Sequence, residues 1–142
     1  KGPKVLEYNA RFGDPETQVV LPRMKNDIVD VFEACIDGTL DQVDIKWQSG
    51  TACCLVLASG GYPVKYQSGY PISGLAEAEA LGATVFHAGT KAEDGKILTA
   101  GGRVLGVTAT GGTLEQAIAA AYAAAKPISF QDMHFRTDIG KV

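Results

Sequence analysis

Between Asn26 and Gly38 the apolar residues Ile28, Val31, Phe32, Cys35 and Ile36 recur at i, i+3, i+4, i+7 and i+8. That spacing lines one stripe of an α-helix and predicts a helix turned towards a core rather than towards a partner. Asn26 is the expected N-cap, Asp27 complements the helix dipole in the first turn, and Gly38 is the expected C-terminal stop. Ahead of it, Val19-Val20-Leu21 gives one or two helical turns that Pro22 interrupts. Beyond it the period changes. Residues 52–58 are an uninterrupted apolar run with the length of a strand buried on both faces. The run ends in Ser59-Gly60-Gly61-Tyr62-Pro63, a tight turn. The Gly-Gly pair could instead cradle a phosphate, but no good helix follows it and Pro63 has no amide to donate.

Val64-Lys65-Tyr66 and Tyr70-Pro71-Ile72 are candidates for short edge strands, where proline is tolerated, and residues 75–81 for a short helix closed by Gly82. Residues 84–88, 96–100 and 103–108 predict an antiparallel meander turned at Asp94-Gly95 and Gly101-Gly102. Thr113 and Gln116 have the spacing of a capping box, opening a helix with Leu114, Ile118, Ala121, Tyr122 and Ala125 on one face and Pro127 as its stop. Strand, glycines and helix N-terminus could also form an anion site, but the glycines do not match Gly-x-Gly-x-x-Gly. Phe130, Met133, Phe135 and Ile139 in the tail are expected to dock on the sheet. The polar residues 39–49, which include Trp47, mark a boundary. The fold class is therefore α+β, with residues 1–43 in one unit and 44–142 in a small β-rich one.

Val5, Glu7 and Asn9 alternate as in a strand, so Glu7 and Asn9 share a face that Arg11 continues. That strand has no earlier partner in the sequence, as expected for the end of a domain that begins upstream. A carboxylate beside an amide oxygen suits a hard cation such as Mg²⁺ when phosphates complete its shell. A guanidinium on the same face could clamp phosphate or carboxylate oxygens. A solvated sheet face would show the same three residues. The chain then leaves through the turn Phe12-Gly13-Asp14-Pro15.

Composition removes several alternatives. Of 142 residues 46% are hydrophobic, enough for a packed core. The 13 basic and 16 acidic residues include no basic cluster, which argues against nucleic acid or an anionic membrane as partner. No apolar run is long enough to span a bilayer, and no signal-peptide pattern opens the chain. Cys53 and Cys54 would point to opposite faces of a strand, a poor disulfide geometry, so these two and Cys35 are expected as buried free thiols in a reducing cytoplasm. His87 and His134 have no metal-ligand spacing.

Glu7-x-Asn9-x-Arg11 resembles the metal-binding element of ATP-grasp ligases. The longer string from Asn9 to Gln18, Asn-Ala-Arg-Phe-Gly-Asp-Pro-Glu-Thr-Gln, is similar to the signature of the phosphoribosylamine–glycine ligases. Residues 58–63 (Ala-Ser-Gly-Gly-Tyr-Pro), 85–90, 101–105 and 135–140 resemble further blocks of that family, in family order. The resemblance implies the end of an ATP-grasp domain over residues 1–43 and a half-barrel-like C-terminal domain thereafter. It also implies a reaction: ATP, glycine and 5-phosphoribosylamine give glycinamide ribonucleotide, ADP and phosphate through an acyl phosphate on the glycine carboxylate.

By that resemblance Glu7 and Asn9 would ligate Mg²⁺ or Mn²⁺, Arg11 would stabilise the transferring phosphoryl or acyl group, and Gly13, Asp14 and Glu16 would shape the loop that meets substrate. The elements that hold adenine and cover the phosphates have no counterpart in these residues. The chain alone is thus expected to be inactive and to hold no metal without nucleotide. Its partners would be ATP, the two substrates and the remaining lobes of the same polypeptide. Two alternatives stand beside this: an autonomous β-rich interaction module, and a piece of another ATP-grasp ligase. The second does not account for the Phe12-Gly13-Asp14-Pro15-Glu16 continuation.

Overall fold

The computed structural model describes residues 2–141. Its centre is β5 (Arg103–Gly111), flanked in a three-stranded antiparallel sheet by β1 (Thr51–Ala58) and β2 (Thr84–His87), in the order β1-β5-β2. The register sets Leu55 and Val85 opposite Val107, and Leu57 opposite Leu105. These side chains form the floor of the core. Helix α4 (Leu114–Ala125) lies across the sheet through Ala117, Ala121, Ala124 and Ala125, all buried. The sequence placed Leu114 on the inner face, but Leu114 is exposed. Methyl side chains let the helix backbone approach the sheet closely, so the alanines take the contact and the larger Ile118 and Tyr122 flank it. The expected capping box is present in both directions, Gln116 N–H to Thr113 Oγ1 and Thr113 N–H to Gln116 Oε1, each at 3.3 Å.

The tail docks as expected. Phe130 is buried, Met133, Phe135 and Ile139 pack on the core, and His134 and Ala58 exchange backbone bonds of 2.9 and 3.0 Å. The Tyr122 hydroxyl donates to the Arg136 carbonyl at 2.8 Å and accepts from Ile139 N–H at 3.1 Å. The short helix α3 (Leu75–Ala80) lies between these layers, with Ala78 buried.

The expected meander resolves into two sheets. Asp94-Gly95 does turn a hairpin, β3 (Thr90–Glu93) with β4 (Lys96–Thr99), both turn residues having positive φ. Gly101-Gly102 does not. Gly101 crosses against Gly89 so closely that a Cβ on Gly89 would sit 2.6 Å from Gly101 Cα, and β5 leaves for the other sheet. β1 is an edge strand with Cys53, Leu55 and Leu57 buried and the residues between them only partly so, not a strand buried on both faces. Residues 64–66 form no strand, while residues 70–72 bond β4 through single bridges.

Helix α1 (Thr17–Val20) and a 3-10 turn, Leu21–Arg23, precede α2 (Ile28–Asp37). Asp27, not Asn26, caps α2, accepting from Val29 N–H at 2.9 Å. Asn26 instead ties its amide to Asp44 O and Lys46 N–H. Gly38 ends the helix in the left-handed region as expected. The inner face of α2 is Val31 and Ala34, whereas Phe32, Cys35 and Ile36 are exposed. The period located an apolar stripe, but its outer half is covered only in part: the Phe12 ring lies against Phe32, centroids 6.1 Å apart, and Cys35 and Ile36 stay exposed. Residues 46–48 pair back onto residues 23–25 through Lys25 N–H to Lys46 O and Gln48 N–H to Arg23 O. The opening segment forms no strand: residues 2–12 are exposed, and without a neighbouring strand the alternation has no ladder to join.

Candidate functional site

The stretch from Asn9 to Gln18 is built by local hydrogen bonds. Thr17 donates both its backbone N–H, at 3.0 Å, and its hydroxyl to Gly13 O, and Val20 N–H closes the first helical turn on Glu16 O at 3.1 Å. Gln18 Nε2 donates to Asp14 Oδ1 at 2.7 Å. A Cβ on Gly13 would meet the Glu16 carboxylate at 2.5 Å, the far end of an exposed side chain that can swing aside. The Asp14–Pro15 bond is cis. Helix α1 comes down on the sheet where Gly106 interrupts the side chains of β5, Gln18 lying over it beside Cys54.

The expected site residues divide into two groups. Asn9 and Arg11 meet, Arg11 Nη1 donating to Asn9 Oδ1 at 2.8 Å and to Phe12 O at 3.1 Å, so these side chains share a side even without a strand. Glu7 is exposed on the same segment and makes no side-chain bond among the described residues. Gly13 and Asp14 instead line an open cleft of about 700 Å³, walled by Phe12, Leu21, Phe86 and His87. Glu16 sits at the mouth of the α1 turn. Glu7, Asn9, Arg11 and Glu16 do not line that cleft.

Glu7 and Asn9 supply the hard oxygen donors a divalent cation takes. Asn9 Oδ1 already accepts from Arg11, and no group of three potential ligands occurs among the described residues. The donor chemistry fits a cation whose remaining ligands come from another molecule.

Arg103 is the residue sequence reasoning missed. At the start of β5 its Nη1 donates to Asp14 O at 2.7 Å and Asp14 Oδ2 at 3.2 Å, while Nε donates to Tyr62 Oη at 3.0 Å. The Tyr62 hydroxyl and then Asp14 hold the guanidinium pKa above its ordinary high value. An arginine after Gly-Gly carries no signal of a partner 89 residues away. Its only mark was membership of the block at residues 101–105.

Residues 52–142 match the family model described as phosphoribosylglycinamide synthetase, C domain. Over 138 residues, 96% of this chain, the sequence is 55% identical to a phosphoribosylamine–glycine ligase of Synechocystis, covering 33% of that protein. A phosphoribosylamine–glycine ligase of Caldanaerobacter subterraneus is 47% identical over 98% of this chain, again covering 33% of the relative. The crystal structure of phosphoribosylamine–glycine ligase from Thermotoga maritima superposes with a TM-score of 0.83 at 36% identity, across 97% of this chain and 34% of that one. The chain spans about a third of the length of the relatives it matches.

Proposed function

The chain belongs to the phosphoribosylglycinamide synthetase C-domain family, and on that footing we propose that it is the C-terminal part of an ATP-dependent ligase of purine biosynthesis. The reaction joins glycine to 5-phosphoribosylamine, giving glycinamide ribonucleotide, ADP and phosphate. What carries this is the 55% identity to a phosphoribosylamine–glycine ligase across 96% of the chain, signature loop included.

Glu7 and Asn9 are assigned as oxygen donors to Mg²⁺ or Mn²⁺, which when bound offsets the charge of nucleotide phosphates. Arg11, held beside Asn9, presents its remaining N–H donors to anionic oxygen. Gly13, Asp14 and Glu16 shape the loop at the cleft rim. Residues 1–43 are assigned to the close of the ATP-grasp domain and 44–142 to the C-terminal domain. No helix among the described residues is long and apolar enough to cross a membrane. Three free thiols support a cytoplasmic enzyme.

The test is a chimaera in which residues 1–142 replace the matching C-terminal third of the Synechocystis ligase. Glycine- and phosphoribosylamine-dependent ADP release is expected from the chimaera and not from residues 1–142 alone. A folded chimaera that binds ATP yet never turns over would overturn the assignment, and turnover by the chain alone would overturn its dependence on the other lobes.

A further inference from the structure

We infer that Arg103 is a positioning residue for the ligase reaction: bridged between Tyr62 and Asp14, it fixes the signature loop, and with it Asn9 and Arg11, to the C-terminal sheet. Two segments far apart in sequence converge on this one guanidinium. Together they supply three oxygens: the Tyr62 hydroxyl after β1, and the Asp14 carbonyl and carboxylate in the loop. An ion pair as open to water as Asp14 and Arg103, 46% and 42% exposed, contributes little by itself. The carbonyl bond is the one that holds the chain, because Asp14 O cannot swing away without moving the loop backbone. A planar fork suits this task where a lysine's single ammonium does not.

The loop's own polar groups point the same way. Gly13 O is taken by Thr17, Asp14 Oδ1 by Gln18 and Asp14 Oδ2 by Arg103. Asp14 is thereby occupied on both oxygens, as a latch is, rather than left open to read a substrate. Arg11 begins three residues upstream of Asp14 on a segment that is otherwise exposed. Phe12, the neighbour of Arg11, rests its ring on Phe32 with centroids 6.1 Å apart, and the latch is the nearest long-range polar anchor that sets where the Arg11 guanidinium and Asn9 stand.

That Arg103 serves catalysis rests on the function proposed above; that it latches the loop does not. Two measurements keep them apart. In the 142-residue chain, Arg103→Ala is expected to speed amide hydrogen exchange at Thr17 and Val20 about tenfold while Leu55 and Val107 stay protected. Arg103→Lys should not restore it. If Arg103→Ala loosens the sheet as well, Tyr62→Phe, which removes a single hydroxyl, decides: faster exchange at Thr17 supports the latch and an unchanged rate refutes it. In the chimaera, Arg103→Ala is expected to lower kcat about tenfold or more with KM for ATP within about twofold, the pattern of misplaced groups rather than lost binding. An unaltered kcat overturns the positioning role. If the unmutated chimaera itself fails to turn over, the functional proposal falls, while the exchange rates still decide the latch.

Discussion

Cys35 lies on the exposed face of α2, Cys53 is buried under α4, and Cys54 is half-buried beside Thr108 on the opposite face of β1. The expectation of three buried thiols therefore fails at Cys35, because the helix face that carries it is uncovered. Burial pushes the Cys53 thiol up from its ordinary range, and it pushes Cys54 up despite a Thr108 hydrogen bond acting the other way. A raised pKa means less thiolate at a given pH, and the thiolate is the nucleophile. Iodoacetamide at mildly alkaline pH should label Cys35 at least about tenfold faster than Cys53 or Cys54, as read by peptide mass. Equal labelling of all three would mean that the sheet faces are open. Glycines offer a second contrast. Gly74 has φ +82°, and a Cβ there would lie 1.9 Å from Pro127 O, whereas Gly69 at φ +93° has nothing within 4 Å. Gly69→Ala carries only the cost of a left-handed backbone, about 1 kcal/mol. Gly74→Ala must also part the segment before α3 from the chain after α4, and should cost at least about 2–3 kcal/mol more in urea unfolding.

At the scale of elements, α2 separates what a sequence period tells from what it omits. The stripe of Ile28, Val31, Phe32, Cys35 and Ile36 identified the helix, yet only Val31 of that stripe is buried, joined by Ala34. Val31→Ala should therefore cost about 1–2 kcal/mol, and Ile36→Lys, at a side chain 84% exposed, less than about 0.5 kcal/mol. A large loss from Ile36→Lys in thermal unfolding would place that side chain in a contact the fold does not show. The same limit explains the strands. Asp94-Gly95 was legible because a tight hairpin turn demands positive φ at both residues. Gly101-Gly102 carries the same chemistry for another purpose, close crossing against Gly89 and under Tyr62, and dipeptide composition does not distinguish a turn from a contact. β3 was missed because Thr90-Lys91-Ala92-Glu93 is polar and mostly exposed, leaving no alternation to read. In the site, Asn9 and Arg11 were legible as neighbours from their spacing. Arg103 was not, because its role is defined by Tyr62 and Asp14, which only the tertiary fold brings to it.

On the scale of the whole molecule, the question is whether this chain completes a metal site by itself. Glu7 and Asn9 offer two side chains with oxygen donors on an exposed segment, and Asn9 Oδ1 is held by Arg11. Mg²⁺ gives up water reluctantly and requires a near-ideal octahedron, so two exposed side chains, one already hydrogen-bonded, compete poorly with its hydration shell. Rigid walls would change that balance by lowering the ordering cost, but the cleft beside the loop is lined by Gly13, Asp14 and side chains of α1 and β2, with neither Glu7 nor Asn9 among them. The affinity for Mg²⁺ without nucleotide should then be no tighter than about 10 mM, and at ~10 mM metal the folded state would gain about 0.4 kcal/mol. For a chain of this size that raises the thermal midpoint by roughly 1–2 °C. Added Mn²⁺ should broaden resonances at many exposed carboxylates rather than at Glu7 and Asn9 first. A midpoint rise above about 5 °C that Glu7→Gln abolishes would show this chain filling the octahedron unaided. The division of the site between Glu7, Asn9 and a bound nucleotide would then be wrong.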